Sequence, residues 1–344
     1  MRIRSFAAGV ALASVFFLTG GLPLVRGKTA ATVAREKSDQ PKVSAGEQKA
    51  AEAVTSAPDA AAKLQAGTAF VKKYPKSTLR LGVAQALANE IAAVKDAAQK
   101  ISLSQEYQGI FKEPSEQELI VPVLIDGYRD AKRFDEAFAA GTEFLKSNPD
   151  SLRVLVRLMT MGTDQAKQRN GKFIDASLQY GAHAIQLIEA KKIPPGIDEV
   201  AWKFYETTLP GLYQSMGILN LVKGDRVEAK ARLTKAAELA PHDPFNYLLL
   251  LDLLDSEYQE EAKRYQSMPS SKAKNDEYSK VLAALDKVID TLARVIALSE
   301  GNAQLEQARQ QSLKDLETYY KYRHSDSIEG MQQLIDKYKV TAKP

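Results

Sequence analysis

Three histidines, His183, His242 and His324, are the residues best suited to hold a metal ion or shuttle a proton near neutral pH. None has a second histidine three or four residues away, the spacing that sets two imidazoles on one helix face, and cysteine is absent from all 344 residues. The local pattern places His183 on a helix, His242 in the turn after Pro241, and His324 in another turn. Carboxylates are dense in LDLLDSEYQEEAKRY, at Asp252, Asp255, Glu257, Glu260 and Glu261. Two such acids facing each other across a cleft would suit glycoside hydrolysis, whereas acids spread around a helix form a solvated face. No Gly-rich phosphate loop, G-x-S-x-G elbow or H-E-x-x-H motif occurs. The residue types therefore single out no catalytic, cofactor-binding or metal-binding group. Recognition chemistry remains: Trp202, Phe204 and Tyr205 form one aromatic patch, and Tyr319, Tyr320 and Tyr322 another.

The elements that carry these groups read as helices. From about residue 47 onward, apolar side chains recur at steps of three and four, and prolines fall between the runs at Pro58, Pro75, Pro114, Pro149, Pro194, Pro195, Pro241, Pro244 and Pro269. Pro122 and Pro210 are expected near helix starts, where a missing N–H costs least. The fold class is all-α. One helix, predicted from about Glu277 to Leu298, has Tyr278, Leu282, Leu285, Ile289, Leu292 and Ile296 in alternating steps of four and three. That seam would suit a coiled-coil dimer, while Val281, Val288 and Val295 widen the stripe as packing inside a larger helical core requires. The preceding SMPSSKAKNDE, residues 267–277, has loop composition.

The amino end has a different character. Arg2 and Arg4 precede an apolar run from Phe6 to Val25 that ends in small residues, the order of an export signal. Residues 1–27 are expected to be that signal, cleaved after Gly27, and the protein to be exported to the periplasm. The alternative is an uncleaved segment that anchors the chain in the inner membrane, since about 20 apolar residues span a bilayer. Residues 28–46 are polar and aperiodic and read as a flexible linker, leaving 47–344 as the helical domain. Arg2, Arg4 and Arg26 lie in the signal, so 44 of the 47 basic residues remain to face 43 acidic ones. Such a balance draws the protein neither to nucleic acid nor to an anionic membrane. Without cysteine, disulfides and a lipid-modified N-terminal cysteine are both excluded.

Two stretches share a longer pattern. LYQSMGILNLVKGDRVEAKARLTKAAELAPHDP offers Tyr213, Met216, Gly217, Asn220, Ala229, Leu233, Ala236 and Pro241 in order. VPVLIDGYRDAKRFDEAFAAGTEFLKSNPDS offers Val121, Leu124, Ile125, Tyr128, Ala137, Gly141, Phe144 and Pro149 at matched spacing. This pattern resembles the tetratricopeptide repeat, a helix pair of 34 residues. Asn220 stands where that family usually has tyrosine, and Leu233 where it has an aromatic residue. Weaker relatives occur at 61–77, 152–192 and 316–339, with insertions near 165–172 and 267–277. The short stretch AFVKKYPKS is also similar to repeats in envelope-assembly and cell-division helper proteins of Gram-negative bacteria.

The resemblance implies an α-solenoid of stacked antiparallel helix pairs, a right-handed superhelix whose first helices line a concave face. Repeat packing then falls to Tyr128, Ala137, Phe144, Pro149, Gly217, Ala229, Leu233, Ala236 and Pro241. Trp202, Tyr205, Asn220, Tyr319 and Tyr322 become candidates to grip a partner, with core packing as the other reading for Trp202 and Tyr205. The function implied is a non-catalytic scaffold that binds a protein or peptide of the cell envelope. Two alternatives stay open: a small-molecule or glycan-binding protein whose groove the insertions close, and a carboxylate-dependent hydrolase.

Overall fold

The computed structural model describes residues 43–339, and the expected signal segment, 1–27, lies outside them. Among the described residues every regular element is helical. Fourteen α-helices of these residues follow one another in pairs: α1 (Ala45–Ser56) with α2 (Ala60–Lys73), α3 (Arg80–Ala93) with α4 (Ala97–Ile110), α5 (Pro114–Asp130) with α6 (Phe134–Ser147), and α7 (Leu152–Lys167) with α8 (Ile174–Glu189). Then come α9 (Glu199–Lys223) with α10 (Arg226–Leu239), α11 (Pro244–Ser267) with α12 (Lys272–Leu298), and α13 (Glu306–Arg323) with α14 (Met331–Asp336). Short turns join α1 to α2, α3 to α4, α5 to α6 and α11 to α12, which pack on each other as antiparallel pairs, while α14 packs on α12.

Sequence chemistry sets the starts and stops. Asp59, Asp96, Asp225, Asp243 and Ser271 each accept a backbone N–H of the first turn of α2, α4, α10, α11 and α12. Ser44 and Glu47 form a reciprocal capping box, which starts α1 inside the stretch expected to be linker. Gly224 and Gly330 turn the chain at positive φ between α9 and α10 and before α14, and Ser325 and Asp326 do so after α13, where the sequence predicts a turn.

The chain clusters into two units. One holds 43–165 and 172–207 of the described residues, and the other 166–171 and 208–339. In the first, α1 packs on α2, α2 on α3 and α4, α3 on α5, and α4 on α5, which in turn packs on α6. Leu64, Leu87, Ile91, Tyr107 and Phe111 are fully buried at its centre, each contributing about 1.5–3 kcal/mol of transfer free energy. In the second unit, α10 packs on α11, α11 on α12, and α12 on both α13 and α14. Leu285, Val288, Leu292 and Val295 of α12 are buried there together with Leu233 and Leu316. From Leu285 onward both apolar stripes of α12 are buried within the unit, whereas Tyr278 at its start stays exposed.

The residues at the repeat positions differ in their burial. Ala137, Ala229, Leu233 and Ala236 are fully buried, and Tyr128 nearly so. Phe144 is half-buried, while Pro149 and Pro241 lie exposed beyond the ends of α6 and α10. A Cβ on Gly217 of α9 would stand 2.5 Å from Cγ of Leu233 in α10, and one on Gly141 of α6 would stand 2.7 Å from Cδ1 of Leu158 in α7. Only a residue without a side chain lets these helices close to that separation.

Three expectations are corrected. Pro122 and Pro210 lie in the interiors of α5 and α9, not at their starts. Each deprives the carbonyl four residues earlier of its donor, and tertiary packing holds the helix through the gap. The segment 267–277 is mostly helix: α12 begins at Lys272, because Ser271 caps it and because Glu277 is held by Arg264 and Lys280. Only residues 268–271 connect α11 to α12. The insertion near 165–172 amounts to a short connection ending in a 3-10 turn, Gly171–Phe173, whose Phe173 stacks on Phe138 with centroids 4.2 Å apart.

Candidate binding surface

In the unit containing α1–α8, polar side chains tie one first helix to the next. Arg80 of α3 donates through Nε and Nη2 to the buried Glu116 of α5, at 2.5 and 3.0 Å. Ser151, just before α7, donates to Glu118 of α5 at 2.8 Å, and Arg157 of α7 donates to Asp126 of α5 at 3.1 Å. Arg129 also pairs with Asp126, and Lys100 of α4 with Asp130. Burial pushes the Glu118 carboxyl above its ordinary range, against the pull of Ser151, Arg153 and Arg157. Donors and acceptors here satisfy one another, so the layer acts as a strut between repeats.

Trp202 and Tyr205 of α9 are buried. Burial raises the Tyr205 hydroxyl, with Arg153 and Arg157 opposing. His183 is half-buried on α8, with Nε2 2.9 Å from Oδ1 of Asp150, whose other oxygen accepts Lys192 at 2.6 Å. The imidazole thus lies on a helix, where the sequence places it, and meets a carboxylate from the turn before α7. His242 is exposed, and His324 stacks on Tyr320 with centroids 4.1 Å apart.

The unit containing α10–α14 differs. Asn220 is buried at the end of α9, where its amide donates to the Met216 carbonyl one turn back at 2.9 Å. Gln214 donates across to Asn246 of α11 at 2.8 Å. Beyond that seam, α11 and α13 both present tyrosine and aspartate. Asp255 and Tyr258 stand three residues apart on α11, and Asp315, Tyr319 and Tyr322 at steps of four and three on α13. Those spacings put each set on one helix face. The Tyr319 hydroxyl donates to Asp255 and accepts Nε2 of Gln259 at 3.2 Å. Its ring meets that of Tyr258 edge to face, with centroids 5.5 Å apart and planes at 83°.

Burial raises the Tyr319 hydroxyl, and the bond to Asp255 adds to it. Burial also pushes the Tyr258 hydroxyl up to about 12, with Tyr322, Asp255 and Tyr278 adding to the effect. The Asp315 carboxyl is raised chiefly by burial, and next by the charge of Asp255 after the opposing bond from Gln311. Tyr322 is 61% exposed and Tyr278 of α12 is 40% exposed, and the Tyr278 ring packs on Tyr265 at 5.2 Å. Of the five residues that the sequence offers as partner contacts, Tyr322 alone is exposed, while Trp202, Tyr205, Asn220 and Tyr319 are buried. Tyr258 escapes a reading by local patches, because it meets Tyr319 only when α11 and α13 lie side by side.

The other acids of α11 are engaged or rim a groove. Asp252 lies 3.8 Å from Arg226, Glu257 accepts Lys230 at 2.5 Å, and Glu261 pairs with Arg264. A groove of about 310 Å³ between α11 and α12 has Leu254, Ala283 and Ala284 as its floor, with Glu257, Glu260 and Glu261 facing Lys280 and Lys287. Among the described residues, no three His, Asp or Glu side chains gather as a metal ion would need, and no helix is long and apolar enough to cross a membrane.

Helix pairs closed by glycine, and contacts that run through α1–α5 from each helix to its next and next-but-one neighbour, decide the architecture. The fold is tetratricopeptide-like. No protein-family profile matches the chain, and no curated protein matches it. Among solved structures it is similar to the crystal structure of a tetratricopeptide repeat protein from Parabacteroides merdae ATCC 43184. The identity is 14%, the match covers 84% of this chain and 95% of that one, and the TM-score is 0.36. In this tetratricopeptide-like chain, α12 and α13 carry the exposed tyrosines Tyr278 and Tyr322, and the first helices α3, α5 and α7 carry a self-satisfied polar layer.

Proposed function

We propose that the protein is a non-catalytic scaffold that binds another protein of the cell envelope on the α11–α13 face. The observation that carries this reading is the aromatic cluster of that face. Tyr322 and Tyr278 stand exposed at the edge of packed tyrosines, and tyrosine on a rigid support is the side chain most often found at the energetic centre of protein interfaces. A helix pair holds such rings at fixed spacing, so a partner meets a preorganised surface and loses little entropy on docking. Export rests on the basic-then-apolar order of residues 1–27.

The test is a photo-crosslinking amino acid placed at Tyr322 in the full chain, expressed in its native cell, with Leu81 on α3 as an exposed control position. The reading expects one recurring protein adduct from position 322 and none of it from position 81. Equal adducts from both positions, or none from 322, would refute it. Intact mass of the protein recovered from the envelope tests the signal: loss of residues 1–27 is expected, and a chain retaining Met1 in the membrane fraction would refute cleavage.

A further inference from the structure

The pair of α11 and α12 outgrows the helix beside it. These helices have 24 and 27 residues, against 14 in α10. The ion pairs that α10 sends to α11 end at Asp252 and Glu257, met by Arg226 at the first residue of α10 and by Lys230 one turn on. Past Glu257, α11 runs on to Ser267 with no ion pair to α10 among the described residues. The groove floored by Leu254, Ala283 and Ala284 opens along this stretch of the pair.

Its two banks carry opposite charge. Glu257, Glu260 and Glu261 all belong to α11, and Lys280 and Lys287 to α12. Among the described residues no ion pair joins one bank to the other. Glu257 meets Lys230 of α10, Glu261 meets Arg264 of its own helix, and Lys280 meets Glu277 of its own helix. Glu260 and Lys287 pair with no charge among the described residues. The charges of the groove therefore face outward, over a low floor on which Ala283 is exposed and Ala284 half-buried. Such small side chains let the ridge of another helix approach closely.

Two rows of opposite sign, side by side on one surface, are complementary to themselves. A half-turn about an axis lying in that surface and parallel to the helices sets the acidic row of one copy over the lysine row of the other, and the reverse. Each α11 then runs antiparallel to the α12 opposite it. A partner of a single charge sign would satisfy one bank and be repelled by the other, so the mixed pattern selects a second copy.

We propose that this groove is the two-fold interface of a homodimer, in which Glu257, Glu260 and Glu261 of each copy meet Lys280 and Lys287 of the other. Tyr278 and Tyr322 do not line the groove, so the pairing stands apart from the reading of the α11–α13 face.

Sedimentation velocity of the purified full chain, followed up to about 0.1 mM, is expected to show a species of twice the chain mass. Lys280→Glu with Lys287→Glu makes both banks acidic, and Glu260→Lys with Glu261→Lys makes the α11 bank basic beside the lysines. Each double should weaken self-association by about tenfold or more, and an equimolar mixture of the two should restore a dimer with one copy of each. Lys263→Glu with Lys314→Glu changes net charge as the first double does, but neither side chain lines the groove, and association should change by less than about twofold. Raising salt from about 0.05 to about 0.5 M should weaken the unaltered dimer by about tenfold or more, which keeps the test decisive without any variant.

A chain that stays single at about 0.1 mM, a dimer indifferent to salt, or folded doubles that fail to recombine would overturn the proposal. A photo-crosslinking amino acid in place of Lys287 identifies the occupant in the native cell. An adduct of the chain with itself is expected, and an adduct with a different protein in its stead would overturn the self-pairing. Neither result alters capture at position 322, so the two readings fail separately.

Discussion

Two glycines of α9 should respond in opposite directions to the same substitution. Gly217 and Gly211 both lie in the interior of this helix, and alanine at either gains about 1 kcal/mol of helix propensity. At Gly211 a Cβ meets nothing within 4 Å, so Gly211→Ala should be stabilising by about 0.5–1 kcal/mol. At Gly217 it meets Leu233 Cγ at 2.5 Å and Cδ2 at 2.7 Å, with the Ala229 carbonyl at 3.4 Å. Leu233 is fully buried, and its Cγ is a branch point rather than a mobile tip, so α9 and α10 must move apart. Overpacking of this kind costs about 1–3 kcal/mol. Set against the propensity gain, Gly217→Ala should destabilise by about 1 kcal/mol.

Urea unfolding followed by far-ultraviolet circular dichroism measures both, provided that the m value is unchanged. The double variant Gly217→Ala with Leu233→Ala supplies a check. Leu233→Ala alone costs about 2–5 kcal/mol through its cavity, and the added Cβ partly fills that cavity, so the two changes should be less than additive. A Gly217→Ala protein as stable as Gly211→Ala, or strict additivity in the double variant, would refute the close approach of α9 and α10.

Arg80→Met should destabilise the α1–α8 unit by about 3 kcal/mol, because it strands the buried Glu116 that Arg80 holds through two bonds; a change under about 1 kcal/mol in urea melts would refute that role. Glu277 is held down to about 2 by Arg264 and then Lys280, so its folded value lies below its unfolded one. The stability it adds is fully present above pH of about 4.5 and is lost as pH falls towards 2, and Glu277→Gln should flatten that part of the acid profile. Glu118 is shifted the other way by burial, so it favours folding when protonated, and its contribution is lost as pH rises through its raised folded value. Glu118→Gln should therefore remove that loss of stability with rising pH, and a wild-type-like pH profile would refute the burial argument.

How far the molecule can be read from its sequence depends on whether the signal is local. Helix pairs are local, and so the spacing of Gly217, Ala229 and Leu233 is enough to mark α9 and α10. Caps are local too, yet composition misled at 267–277, because Ser, Lys, Asn and Asp read as loop while Ser271 uses the same chemistry to start α12. The prolines misled for the opposite reason: packing retains Pro122 and Pro210 inside helices that local rules would end there. The tyrosine and aspartate face was legible only in part. Tyr319 and Tyr322 stand out as a dense patch with Asp315 one turn before them, whereas Asp255 and Tyr258 join them across some 60 residues, a relation that exists only after α12 has set α11 and α13 at one side.

The pattern of helix contacts has a consequence in time. From α1 to α5 the helices touch their next and next-but-one neighbours, so a segment there needs only the stretch just before it to begin burying its apolar face. Loop-closure entropy stays small at every step, and contacts of short range form quickly. α1 and α2 can therefore pack, then receive α3 and α4, while residues beyond them have yet to arrive. A chain delivered from its amino end, by a ribosome or through a pore, can fold in the order in which it appears.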